Sequence, residues 1–182
     1  MSSVFNIERE ILPNTYLISF PKFIDERGTF LKIYNEDAFN EIGIKFNYKE
    51  EFISKSHKNV IRGMHFQKPP YEHSKIIWCS RGSVIDVLLD IRTGDNYGMV
   101  ESIILNEDDN YLIFIPTGIA HGFKSLENNS ELIYKTSSIY SKAHDEGILW
   151  NSFDYDWNNN DKPIISSRDL NHIGFKDFDT PF

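Results

Sequence analysis

Two histidines in matching settings carry the chemistry that this chain offers. His65 lies in Arg62-Gly63-Met64-His65-Phe66-Gln67, with Lys75 eight residues beyond Gln67, and His121 lies in Pro116-Thr117-Gly118-Ile119-Ala120-His121-Gly122-Phe123. An imidazole exchanges a proton near neutral pH, because its unperturbed pKa is ~6.5. Arg62 and Lys75 are cations that can hold an anion, and a cation beside an imidazole helps keep it neutral and able to accept a proton. Taken alone, a histidine on a strand is most simply a satisfied structural residue. Taken together, the set describes a pocket that binds an anion and moves a proton. Tyr134 and Tyr140 are the aromatic candidates. Tyrosines on strands ordinarily pack their ring and bond their tip, but a phenol opposite an imidazole makes the two-sided acid/base pair that inversion at carbon requires. Asp169, in Ser166-Ser167-Arg168-Asp169, is a carboxylate of the kind that orients an imidazole.

These residues need strands to position them. Short apolar segments alternate with turn signals, predicting strands at 15–20, 28–34, 52–56, 60–66, 75–80, 83–91, 99–105, 111–115, 122–126 and 131–138. Many short strands at near-regular spacing, with no βαβ alternation, predict an antiparallel sandwich or barrel. A short helix is expected over 36–42, with Asn35 as its N-cap. Beyond Tyr140 the texture becomes polar. A single helical turn is expected over 141–146, a polar loop over 158–161, some order over 166–170, and a loosely held end.

The chain has 182 residues, which predicts one all-β domain over 1–182. Its 14 Phe and 9 Tyr suit a β-rich core. A net charge of −8 argues against a nucleic-acid binder, which needs a basic face, but leaves room for a small phosphorylated ligand met by a few local cations. The single cysteine, Cys79, excludes an internal disulfide and lies in an apolar run, as a buried inert thiol does. The first twenty residues read as neither signal nor transit peptide. No apolar run approaches the ~20 residues of a membrane span. The expectation is a cytoplasmic protein.

The chain resembles the dTDP-4-dehydrorhamnose 3,5-epimerase family, a branch of the cupin jelly rolls. The resemblance rests on Phe23-Ile24-Asp25-Glu26-Arg27-Gly28-Thr29-Phe30, Ser54-Lys55-Ser56, Val60 through Gln67, Lys75, Gly82 through Val87, Asp90-Ile91-Arg92, Ile115 through Phe123, Tyr134, Tyr140, Gly147 through Asn151 and Ser167-Arg168-Asp169. It implies a cupin-type jelly-roll sandwich with a few short helices, and an enzyme without metal or other cofactor acting on a nucleotide-diphosphate 4-keto sugar through an enolate. By position, His65 is the implied base, Tyr134 the acid, Asp169 the partner of the histidine and Lys75 the residue facing the enolate oxygen. Arg27, Arg62, His121 and Arg168 match substrate and diphosphate contacts, with Arg168 replacing a usual lysine, and Tyr140 matches the ring that stacks on the base. The resemblance further implies a homodimer that exchanges strands, one subunit lending residues such as Arg27 to the other's pocket.

The departures fall among the substrate contacts. Lys32 stands where the family usually has a glutamate, Glu50 and Phe52 where it has a Gln-x-Asn pair, and Asp145 where it has a glutamate. A shifted base or sugar is the expectation they raise, GDP-linked heptoses of capsule or lipopolysaccharide synthesis included. A metal is not expected: position 67 is Gln where cupin metal sites carry a second histidine, and Glu72, His73 and His121 have no ligand spacing. Two other readings remain open at this point, a 3,4-ketoisomerase and a non-catalytic sugar-nucleotide-binding cupin.

Overall fold

A computed structural model describes residues 4–158 and 162–182; the expected loop at 158–161 therefore lies largely outside the described residues. Thirteen strands run β1 Asn6–Leu12, β2 Thr15–Ser19, β3 Lys22–Asp25, β4 Gly28–Leu31, β5 Glu50–Ser56, β6 Ile61–Gln67, β7 Lys75–Arg81, β8 Ser83–Asp90, β9 Val100–Asn106, β10 Tyr111–Ile115, β11 Ile119–Ser125, β12 Ser130–Thr136 and β13 Asp145–Gly147. They form a six-stranded sheet in the order β1-β2-β10-β7-β12-β5, a five-stranded sheet in the order β13-β6-β11-β8-β9, and a separate β3-β4 hairpin. This is the expected jelly-roll sandwich. Among the described residues two short α-helices, α1 Glu36–Glu41 and α2 Ser167–Leu170, and a 3-10 turn over Phe175–Asp177 complete it. No described helix is long and apolar enough to cross a membrane.

The alternation of side chains across each strand divides the core. Ile77, Cys79, Leu88, Ile113, Ile115, Phe123 and Leu132 fill the space between the sheets. Their neighbours one position away face outward: Ile76, Leu112 and Phe114 lie under α1 with Phe39 and Phe46. On the other side, Val87, Leu89 and Ala120 lie under the C-terminal segment with Trp157 and Ile148. Central strands covered on both faces read as continuous apolar runs, which is why the sequence around Ile76 and Leu88 shows little polar alternation. Each fully buried Leu, Ile or Phe contributes on the order of 1.5–3 kcal/mol.

Three expectations are corrected. The tail is held: Phe178 and Phe182 pack edge-on to Phe66, and Thr93 N–H donates to the Phe182 carbonyl at 3.1 Å. Its aromatic residues, spaced apart among charges, give no periodic signal. The predicted turn at 141–146 ends in β13, three residues that borrow their order from pairing with β6. The strand expected over 28–34 stops at Leu31, closing the β3-β4 hairpin with Phe23 against Phe30 at a ring separation of 6.1 Å. That hairpin is exposed, Ile24 at 72% and Phe30 at 62%. Asn35 does cap α1, its side chain accepting from Ala38 N–H at 2.9 Å.

Candidate active site

The site begins with a defect in β6. Across β11, His65 pairs with His121 and Arg62 pairs with Phe123, so β6 spends one residue more than β11 over the same stretch. Such a bulge re-aims the side chains beyond it. Arg62 therefore joins His65 and Gln67 in facing the same cavity. Glycines permit the defect. Gly63 has φ +127°, and a Cβ on it would lie 2.4 Å from Gly122 Cα; any larger residue would push β6 and β11 apart.

His65 Nε2 meets Asp169 Oδ1 at 2.9 Å, and Asp169 Oδ2 accepts Gly63 N–H at 3.2 Å. Ser166 caps α2 by accepting Asp169 N–H at 3.1 Å, which fixes the carboxylate's backbone. Burial pushes the Asp169 carboxyl up, but the imidazoles of His172 and His65 and the Gly63 N–H outweigh it and hold the group well below the usual carboxylate range. An ionised carboxylate only accepts, so His65 donates from Nε2 and keeps Nδ1 bare to take a proton. Burial depresses the His65 pKa against the pull of Asp169, with Lys75 and Arg168 adding to the depression.

Lys75 opens β7 on the opposite sheet, in phase with the interior-facing Ile77 and Cys79. Its ammonium crosses to donate to the His65 carbonyl at 3.0 Å. Burial lowers its pKa to about 8, with Asp145 and Asp86 restraining the fall. On β12 the Tyr134 hydroxyl lies 3.3 Å from Ser54 Oγ. Burial pushes its pKa well above the ordinary tyrosine value, so the phenol stays protonated at neutral pH. Phe52, its cross-strand partner on β5, stacks on it at 4.7 Å, and His121 meets it edge-on at 5.9 Å. His121 Nε2 is bonded to Asp86 at 2.7 Å, both side chains sealed from solvent. Side chains of the two sheets together enclose a cavity of ≈ 450 Å³.

Comparison with known proteins then assigns the chain. The sequence model described as dTDP-4-dehydrorhamnose 3,5-epimerase matches residues 9–177. The dTDP-4-dehydrorhamnose 3,5-epimerase of Shigella flexneri is 35% identical over 178 residues, 96% of this chain and 98% of that one. The chain belongs to the dTDP-4-dehydrorhamnose 3,5-epimerase family. It is an isomerase of the carbohydrate epimerase class. Among solved structures, the Bacillus anthracis epimerase with TDP and PPi bound superposes with a TM-score of 0.91 at 29% identity, covering 94% of this chain and 99% of that one. The Legionella pneumophila epimerase in complex with dTDP-4-keto-L-rhamnose gives 0.91 at 27% identity, over 96% and 95%.

The residues expected for this epimerase from its sequence divide three ways. His65, Lys75, Tyr134, Glu50, Phe52, Arg62, His121, Tyr140, Asp145 and Arg168 all border the cavity. Asp169 stands behind His65. Arg27 and Lys32 do not border this chain's cavity: Arg27 lies at the tip of the β3-β4 hairpin, paired with Asp25 at 2.6 Å, and Lys32 directly follows the hairpin. At the mouth, Glu50 accepts Tyr140 N–H at 2.7 Å and Arg168 pairs with Asp145 at 2.8 Å. Sequence reading missed Ser54 as a partner of Tyr134, though it stands within a family motif, and gave His73 no more than a passing place among possible ligands. His73 borders the cavity, and burial lowers its pKa to about 3. Sequence reading also missed His172, whose Nε2 is 3.6 Å from Asp169 Oδ1. Its spacing of three from Asp169 was the available signal. Among the described residues the one metal-competent cluster is His65, Asp169 and His172, with ligand atoms all within 4.8 Å of one another. Cys79 is fully buried and its thiol is pushed up to about 12, far from nucleophilic.

Proposed function

We propose that this epimerase inverts C3, C5 or both of a nucleotide-diphosphate 4-keto sugar, the dTDP-linked 6-deoxy sugars of its family being the first substrate class. His65 Nδ1 takes a proton from the carbon beside the ketone. The electron pair moves onto the carbonyl oxygen, where the Lys75 ammonium offsets the charge. The Tyr134 hydroxyl returns a proton to the opposite face of the same carbon, and solvent exchange resets base and acid. The ketone is the electron sink, so the reaction needs no cofactor. Asp169 holds His65 in the required tautomer, and Arg62, Arg168 and His121 serve the diphosphate and sugar. The observation that carries the reading is that His65, tied to Asp169 at 2.9 Å on one sheet, shares a cavity with Lys75 and Tyr134 from the other.

Incubation of a dTDP-4-keto-6-deoxyhexose with the enzyme in deuterated water tests it. Deuterium is expected at C3, at C5 or at both, and the pattern gives the regiochemistry. No incorporation at either carbon would remove the reading.

The same reading includes a cytoplasmic homodimer in which each β3-β4 hairpin reaches the other subunit and delivers Arg27. The exposed Phe23, Ile24 and Phe30 support it, because a hairpin needs more apolar contact than its own two strands supply.

Glu50 and Phe52 favour a second reading of the base. Phe52 offers no hydrogen bond, and Glu50 Oε2 takes the Tyr140 N–H while Oε1 has no partner among the described residues. An acceptor-only carboxylate suits the adjacent donors of a guanine edge better than the single donor of thymine. Competition between dTDP and GDP decides: tighter binding of dTDP removes the guanine reading.

A further inference from the structure

Behind His65 stands an imidazole that the reaction does not use. The His172 side chain is 11% exposed, and its ring meets that of His65 edge-on with centroids 5.6 Å apart. Its Nε2 lies 3.6 Å from Asp169 Oδ1, the oxygen that His65 Nε2 reaches at 2.9 Å. That nitrogen is buried and has no hydrogen-bond partner among the described residues. A Cβ on residue 147 would sit 2.5 Å from it, so Gly147 makes the room His172 occupies. A buried nitrogen without a partner, facing a carboxylate and a second imidazole, is an incomplete arrangement.

We propose that His65, Asp169 and His172 form an inhibitory site for a divalent transition cation, Zn²⁺ above all, which stops turnover by withdrawing His65 from its role as base. Two imidazoles and a carboxylate are a common zinc donor set. Ligands ~2.0–2.1 Å from a tetrahedral ion stand about 3.3 Å apart. The contacts to Asp169 Oδ1, at 2.9 and 3.6 Å, lie within a few tenths of an ångström of that, and the two imidazole nitrogens, within 4.8 Å of one another, adjust to the ion as it enters. The Lys75 and Arg168 cations face His65 and weaken any cation's hold. That penalty leaves the site to ions that gain strongly from nitrogen ligands, and excludes Mg²⁺ and Ca²⁺, which prefer oxygen. Occupancy and catalysis exclude each other through the tautomer. A metal on His65 Nε2 leaves the ring's one proton on Nδ1, the nitrogen that must be bare to accept a proton from the sugar. The inhibitory part rests on the proton transfer proposed above; the binding part does not.

The test uses the whole protein, freed of metal with a chelator. Titrated Co²⁺ is expected to give the visible absorption of a four-coordinate nitrogen/oxygen site, and Zn²⁺ to displace it at one ion per chain. Deuterium exchange into substrate should fall in step with Zn²⁺ occupancy, return on adding chelator, and ignore Mg²⁺. His172→Ala removes a ligand and should weaken Zn²⁺ binding by more than the ~10–100-fold that loss of a partner behind a ligand costs. His172→Gln keeps the volume and guards against a folding defect, checked by circular dichroism, and each variant's metal-free rate is its own reference. No Co²⁺ band, no Zn²⁺ binding below about millimolar, or an affinity equal to the parent's in both variants would overturn the site. Zn²⁺ that binds but leaves turnover untouched would overturn the inhibitory claim and, with it, the role of His65 as base.

Discussion

The pairs His65–Asp169 and His121–Asp86 have the same chemistry and stand side by side, since His65 and His121 are cross-strand partners. Their surroundings separate them. The His65 side chain is 29% exposed, and its carboxylate arrives from the C-terminal segment, far along the chain. His121 and Asp86 are 4% and 0% exposed and lie on adjacent strands of one sheet. The first pair leaves a ring nitrogen open to a substrate. The second borders the same cavity through His121 but is shielded from bulk solvent, and the Asp86 charge opposes the burial-driven fall of the Lys75 pKa and adds to the rise of the Tyr134 pKa. In the proposed reaction one pair moves a proton, while the other sets the field in which its partners work. An imidazole–carboxylate bond does not by itself mark a base; access to the second nitrogen does.

Substitutions can break this division. His65→Asn should lower exchange at the substrate carbon by about 10³-fold with the fold intact, since general-base catalysis contributes ~10²–10⁴-fold; a variant within tenfold of the parent would deny His65 its role. Asp86→Ala should cost about 1–3 kcal/mol in urea unfolding, the range for a buried donor left without its acceptor. If stability is unchanged and activity collapses instead, the closed pair is chemical after all. Asp169→Asn should reduce kcat by about 10²-fold through the wrong tautomer, with KM little changed. The pH profile sharpens the comparison most finely. In the proposed reaction Lys75 acts as an ammonium, and its pKa is lowered to about 8, so the rate should fall as pH rises through that value. Asp86→Asn removes a charge that holds this pKa up, so in that variant the alkaline limb should move to lower pH; a limb that stays in place would show that Asp86 sets nothing.

Much of this was legible beforehand for a physical reason: central strands carry dense apolar runs, and the stretches around His65 and His121 carry glycines where β6 and β11 nearly touch. What failed to show was order imposed from elsewhere. β1 was missed because Glu8, Arg9 and Glu10 face solvent on an edge strand, which leaves little apolar signal. β13 exists only through pairing with β6, and the tail is held by distant partners, Phe66 and the Thr93 N–H among them. The facing of Arg62 into the cavity depends on a one-residue bulge that spacing alone does not reveal. Asp169 was placed beside His65 by family resemblance, since no local pattern links residues so distant in sequence. His172 lay outside that resemblance and went unnoticed.

The β3-β4 hairpin, with its bare Phe23, Ile24 and Phe30, carries a consequence for how the enzyme behaves in dilute solution. If its arginine completes a neighbour's pocket, specific activity should decline on dilution as chains part. Two inert preparations, Arg27→Ala and His65→Asn, should regain turnover when mixed and allowed to re-pair, because each mixed pair then holds one intact pocket. Complementation of that kind belongs to assemblies in which ownership of a site is shared.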